Sequence, residues 1–290
     1  KDCLDHFGGG TVDSILSSMT SLSSSSRKIA LSLTGSGHLL IYQLGVCKVL
    51  HSAGQFQIEH ISGSSGGAIA ATLLAILPSR IDEFAKTYIE SRGMGLSLLQ
   101  DFLLSSDSVE GTIRAPHLHI CATKCSDGTA HLFSFDNFTH GERHKVLTSV
   151  EASATIPYSF HPFDMLPFVS STYPAQEGIE INGEMYVDGG IAAPAPRMPD
   201  KAYEDKKLMD IVVSPISGRC RKNRLRVSPL EPTPWSLGNW FLPHDFGVSL
   251  SVRNLRALRA ASGMTSTREL EKWYALGQKD AARFIDEHCS

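Results

Sequence analysis

The sequence comprises 290 residues, 42% of them hydrophobic and 20% charged, with a formal net charge of -3 and an isoelectric point near 6.5. That content is enough to bury one substantial core or two small ones, and it excludes a fibrous or wholly disordered chain. The slightly acidic balance gives no global attraction to nucleic acid, so no nucleic-acid partner is expected and an anionic surface would have to be met by a local basic patch.

Residues 1–27 are rich in Gly and Ser, end near the run Ser23-Ser24-Ser25-Ser26, and read as a flexible lead-in. Within it Val12, Ile15, Leu16, Met19 and Leu22 recur at helical spacing. A helix packed on the domain is the favoured reading over a lipid anchor, because the polar face lacks the Lys and Arg such anchors use.

From Lys28 the pattern alternates between strand and helix, the arrangement that buries a mostly parallel sheet between helical layers, and residues 28–290 read as one such domain. Lys28–Thr34 is a buried strand and Gly35-Ser36-Gly37 breaks it. His38–His51 then carries Leu39, Tyr42, Val46 and Leu50 at helical spacing. Ile58–Ser62 is a short strand, Gly63–Gly67 a sharp turn, and Ala68–Leu77 an apolar helix that stops at Pro78. Leu118–Thr123 and Ala130–Phe135 form a hairpin around Ser126-Asp127-Gly128. Tyr186–Asp188 and Ile211–Ser214 are short strands, residues 219–243 an Arg- and Pro-rich extended excursion, and helices run from about Ser249 to Ala261 and from about Thr267 to His288. No window reaches the roughly 18 uninterrupted apolar residues of a membrane span.

Gly63-Ser64-Ser65-Gly66-Gly67 is a G-x-S-x-G between an apolar strand and an apolar helix, the context in which a tight turn exposes a serine oxygen. Ser65 is therefore the candidate nucleophile, with Gly63 and Gly67 removing side chains that would crowd the turn. An α/β-hydrolase places several strands before its elbow; here a single strand precedes it. The oxyanion donors would then come from the loop Gly35, Ser36 and Gly37, whose small residues let successive N–H groups converge. A dinucleotide site fails on the same loop, since Leu40 stands where G-x-G-x-x-G needs its third glycine.

A serine needs a base. Tyr186-Val187-Asp188-Gly189-Gly190 ends an apolar strand in an acid followed by two glycines, and Asp188 is the candidate; a capping acid in a turn is the competing reading of the local pattern. Among 12 histidines, including His38 and His60, structural roles are favoured over catalysis. Cys121 and Cys125 lie in a strand with no second pair nearby and read as buried thiols rather than zinc ligands, so no metal and no cofactor are expected. The few scattered cysteines and the lack of a secretory leader suggest an intracellular setting.

Together these pieces resemble the patatin-like phospholipase family, and more closely its adipose-triglyceride-lipase branch. The matching stretches are LSLTGSGHLLIYQLGV (31–46), HISGSSGGAIAAT (60–72), CATKCSDG (121–128), EASATIPYSF (151–160), YVDGGIAAPAP (186–196), VVSPISG (212–218) and SLSVRNLRAL (249–258). The resemblance implies a three-layer α/β/α domain, a Ser65–Asp188 dyad, an oxyanion hole at Gly35–Gly37, and ester hydrolysis of triacylglycerols, phospholipids or related lipids through an acyl-enzyme. It further implies a cytoplasmic protein meeting lipid at a membrane or droplet surface, with a protein activator as a possible partner. Two departures stand out: His38-Leu39-Leu40 where the family often has a further glycine and a basic residue, and Ala192-Ala193-Pro194 where Asn often precedes the proline. The first motivates an alternative, a patatin-like protein that binds lipid or a partner with little turnover. The basic run Arg219, Arg221, Lys222, Arg224 and Arg226 beside Trp235, Trp240, Phe241 and Leu242 reads either as a lipid-docking excursion or as a solvated loop with its tryptophans folded onto the core.

Overall fold

A computed structural model describes residues 26–105, 116–136, 138–161, 172–204, 208–220, 224–230, 239–242, 246–263 and 265–289. The lead-in helix, Arg221, Lys222 and Trp235 lie outside the described residues, as do the side chains of Trp240, Phe241 and Leu242.

The first half is built of strand–helix units: β1 (Arg27–Leu33), a single 3-10 turn at Gly37–Leu39, α1 (Leu40–Ser52), β2 (Phe56–Ser64) and α2 (Gly66–Ile76). Helices α3 (Ile81–Glu90) and α4 (Gly95–Leu104) follow, then the hairpin β3 (His117–Lys124) and β4 (Ala130–Phe135), and helix α5 (His140–Ala154). The second half runs β5 (Ile179–Ile181), β6 (Glu184–Asp188), the one-turn helix α6 (Gly189–Ala192), β7 (Met209–Val213), β8 (Leu225–Val227), β9 (Asn239–Leu242), β10 (Phe246–Ser249), α7 (Val252–Ala261) and α8 (Thr267–Cys289).

Eight strands form one sheet in the order β5-β6-β3-β2-β1-β7-β8, with β4 also on β3, while β9 and β10 make a separate ribbon. The run β3-β2-β1-β7-β8 is parallel throughout, and the antiparallel pairs are gathered around β3 and at the β5 edge. This is an α/β fold with a mostly parallel central sheet flanked by helices. Alternation along β1 explains the layering: Ile29, Leu31 and Leu33 enter the main core with Leu44, Leu73, Phe84 and Trp273 from the helices, whereas Ala30 packs with Met198 and Ala202 on the opposite face. Each large apolar side chain so buried contributes about 1.5–3 kcal/mol. Among the described residues, that opposite face is covered by the segment after α6 and by β10, whose Phe246 packs on Ala195 and Val212.

One register decides where the chemistry sits. Strand β4 occupies one side of β3 from Leu118 to Thr123. The other side is shared: β2 pairs there up to Ser64 opposite Cys121, and β6 takes over with Asp188 opposite Ala122. The end of β2 and the end of β6 therefore abut.

The excursion is more structured than its composition suggests. Residues Leu225–Val227 join the main sheet beside β7, and Arg226 together with the preceding Arg224 turns inward. The Arg224 side chain is 5% exposed and pairs with Asp210 at 2.9 Å, which also accepts from the Tyr203 hydroxyl at 3.0 Å. Arg226 donates to the carbonyls of Gly247 and Ile216 and lies over the Phe246 ring. Arg224 and Arg226 thus cannot belong to a solvent-facing docking patch; once β8 is recruited as a sheet edge, its side chains must satisfy interior carbonyls and a carboxylate.

Candidate active site

Ser65 is the single residue between β2 and α2. Its backbone stands at φ 52° and ψ -128°, a left-handed-side conformation that costs a non-glycine residue of order 1–3 kcal/mol and is held by its surroundings. The Ser65 N–H donates to Ser153 Oγ at 2.9 Å, and that hydroxyl donates in turn to the Cys121 carbonyl at 2.6 Å. Ser153, fully buried on α5, thereby ties the corner to β3. The turn closes tightly: a Cβ on Gly63 would lie 2.4 Å from the Gly67 carbonyl oxygen, and one on Gly66 would lie 2.6 Å from the Gly37 carbonyl oxygen. The elbow and the Gly35–Gly37 loop are thus in direct backbone contact.

The Ser65 hydroxyl lies close enough to the Asp188 carboxylate to favour its ionised form, and both residues line one cavity. Asp188 is almost fully buried at the end of β6; its N–H donates to the Thr155 carbonyl at 2.8 Å and its own carbonyl accepts from Thr123 Oγ1 at 2.7 Å. Its Oδ1 accepts from the Gly190 N–H at 2.7 Å, so the residue also caps α6, and the capping and serine-facing readings of this acid hold together. Burial raises the carboxyl from 3.8 to about 6, with Ser65 and the hydrogen bond from Gly190 opposing that rise. Asp188 is ionised at neutral pH and more basic than a solvated aspartate.

The loop after β1 reaches the same place. Ser36 Oγ donates to Gln43 Oε1 at 2.9 Å, and Gln43 Nε2 donates to the Thr34 carbonyl at 2.8 Å, so a fully buried amide on α1 braces the loop. The Gly35 N–H donates to the Pro194 carbonyl at 2.9 Å, which also accepts from Ser64 Oγ at 3.2 Å. The Gly35 amide is thus engaged within the protein and is not free to serve as the oxyanion donor expected of it, although Gly35 lines the cavity with Ser36 and Gly37. Gln43 and Ser153 were not singled out in the sequence, because a lone polar residue on an apolar helix and a Ser on a mixed one carry no pattern of their own.

Gly35, Ser36, Gly37, Leu39, Ser65, Asp188 and Gly190 line a cavity of about 370 Å³ whose remaining walls are almost wholly apolar, including Ile156, Phe160, Ile191, Ile216 and Leu258. Apolar walls suit an acyl chain and exclude water from the polar floor. Of the His38-Leu39-Leu40 departure, Leu39 alone reaches the cavity. Leu40 is in the core, and His38 meets the Tyr88 hydroxyl at 3.1 Å. Among the described residues no histidine lines the cavity; His60 is stacked against His117 and His119, with ring centroids 4.7 and 5.5 Å away. Cys121 and Cys125 are buried, and burial pushes the Cys121 thiol up to about 12. No group of three or more His, Cys, Asp or Glu side chains among the described residues has metal-binding geometry.

Fold and site define an α/β protein with a strained serine at a strand–helix corner beside a buried acid. The family model for patatin-like phospholipases matches residues 31–200, and the chain belongs to the patatin-like phospholipase family. Human patatin-like phospholipase domain-containing protein 4 is 25% identical over 277 residues, spanning 89% of this chain and 97% of that protein. The crystal structure of VipD from Legionella pneumophila matches 91% of this chain and 67% of its own at a TM-score of 0.40 and 12% identity. Membership supports lipid ester hydrolysis in general.

Proposed function

We propose that the protein is a lipid acyl hydrolase of the triacylglycerol lipase or phospholipase A type, working through a Ser65–Asp188 dyad. The observation that carries this reading is a conformationally strained serine beside a buried aspartate of raised pKa, both at the floor of one apolar cavity. Asp188 takes the hydroxyl proton as Ser65 Oγ attacks the ester carbonyl. The developing oxyanion is met by N–H groups of Ser36, Gly37 and the α2 terminus at Gly66, where the helix dipole favours negative charge. The leaving alcohol takes the proton from Asp188, and water activated by the same carboxylate then releases the fatty acid. The chemistry needs no metal or cofactor.

Fatty-acid release from dispersed triacylglycerol and from phosphatidylcholine vesicles tests this reading. Wild type turns over at least one of the two, and Ser65→Ala lowers the rate by about three orders of magnitude or more. A wild type inert on both moves the assignment to lipid binding without turnover.

A further inference from the structure

Helix α7 sits at the mouth of the cavity. Its inward stripe, Asn254, Ala257 and Ala260, is buried. Asn254 fixes the helix, accepting from the Ser217 N–H at 2.8 Å and donating to the carbonyls of Ser217 and Ser249 at 2.8 and 2.6 Å. Its last turn meets the oxyanion loop, since a Cβ on Gly37 would fall 2.4 Å from the Ala261 carbonyl oxygen. Leu258, Ala261 and Ser262 form part of the cavity wall.

The outward side is not what a water-facing helix carries. Val252 and Leu255 are each 67% exposed and Leu258 51%, one per turn along the same face. Arg256 and Arg259 stand exposed between them, with no ion-pair partner among the described residues, and the helix contains no acid. On the cavity wall with Leu258, Ile156 is 63% exposed. Single exposed apolar residues are ordinary; a row of them with arginines interleaved, rimming a lipid-sized cavity, matches the composition of interfacial helices.

We infer that α7 docks the protein on an anionic lipid surface. Val252 and Leu255 enter the headgroup–acyl boundary, Arg256 and Arg259 engage lipid phosphates, and Leu258 with Ile156 gives an ester an apolar route from the surface to Ser65. The role of that route rests on the hydrolase reading above; the docking itself does not.

The test is flotation of the full chain with phosphatidylcholine vesicles, with and without phosphatidylglycerol, alongside hydrolysis of a soluble short-chain ester. The variants are Val252→Asp/Leu255→Asp and Arg256→Glu/Arg259→Glu. Wild type favours the anionic vesicles, the arginine variant loses that preference by about tenfold or more, and the apolar variant loses binding to both, with soluble-ester hydrolysis unchanged. Wild-type binding in both double variants overturns the docking role, as does a wild type that ignores vesicle charge. A variant that shifts a dimer to monomer yet keeps vesicle binding assigns the face to a second copy and also overturns it. Vesicle binding that depends on α7 in a protein inert toward esters supports the docking and removes the hydrolase reading instead.

Discussion

Ser65 and Asp188 meet end to end along one edge of β3: the strand leading to the serine finishes opposite Cys121, and the strand ending in the aspartate finishes opposite Ala122. Two segments more than a hundred residues apart are thus positioned by adjacent rungs of one ladder, which brings the serine and the carboxylate to the floor of one cavity.

The elevated carboxyl sets the pH dependence. As the proposed base Asp188 works only when ionised, and burial raises its carboxyl from the ordinary 3.8 to about 6. With the short-chain ester, kcat/KM rises about tenfold per pH unit below 6 and levels off above it. A profile flat down to pH 4 would show that Asp188 is not the base.

Ser153 acts through the backbone of Ser65. In Ser153→Ala the Ser65 N–H loses its acceptor and the Cys121 carbonyl its donor in a fully buried place. Stability falls by about 1–3 kcal/mol in urea titration. The positioning role predicts a fall in kcat at nearly constant KM, whereas a purely structural role predicts stability loss with kcat retained in the folded fraction.

Gly66→Ala forces a methyl into the space held by the Gly37 carbonyl oxygen and Ser36 Oγ, 2.6 and 2.9 Å from the new carbon. The loop must move away from the elbow, at a cost of about 1–3 kcal/mol. Misplacing the oxyanion donors lowers the rate by about two orders of magnitude, measured on the same soluble ester. Activity within twofold of wild type would detach this loop from the reaction.

Removing one partner of the Arg224–Asp210 pair leaves a charge stranded beneath the sheet. Asp210→Asn lowers unfolding free energy by about 3–5 kcal/mol, read by chemical denaturation, because both side chains are less than a tenth exposed. A change under about 1 kcal/mol is what a surface pair would give.

The strands and helices that carry long apolar patterns were legible in the sequence. The strand at Lys28–Thr34 appears as Arg27–Leu33, and the hairpin at Ala130–Phe135 keeps its bounds. So were the elbow and the acid, because each pairs an apolar strand with glycines that admit close backbone approach. The helix expected from about Ser249 starts at Val252, and Phe246–Ser249 is a strand instead, since pairing with β9 satisfies its backbone first. What stayed illegible was tertiary in origin. Gln43 and Ser153 brace the site through single hydrogen bonds, Arg224 and Arg226 look like surface charge until β8 joins the sheet, and the exposed face of α7 reads as an ordinary amphipathic helix until its neighbours are placed.

Whether Ser65 is a nucleophile activated by Asp188 is read most directly by labelling with a fluorophosphonate probe followed by peptide mass spectrometry. One covalent adduct is expected, on the peptide containing Ser65, formed by wild type and suppressed by about two orders of magnitude or more in Asp188→Asn. An unlabelled wild type, an adduct on another residue, or labelling of Asp188→Asn at the wild-type rate would contradict it.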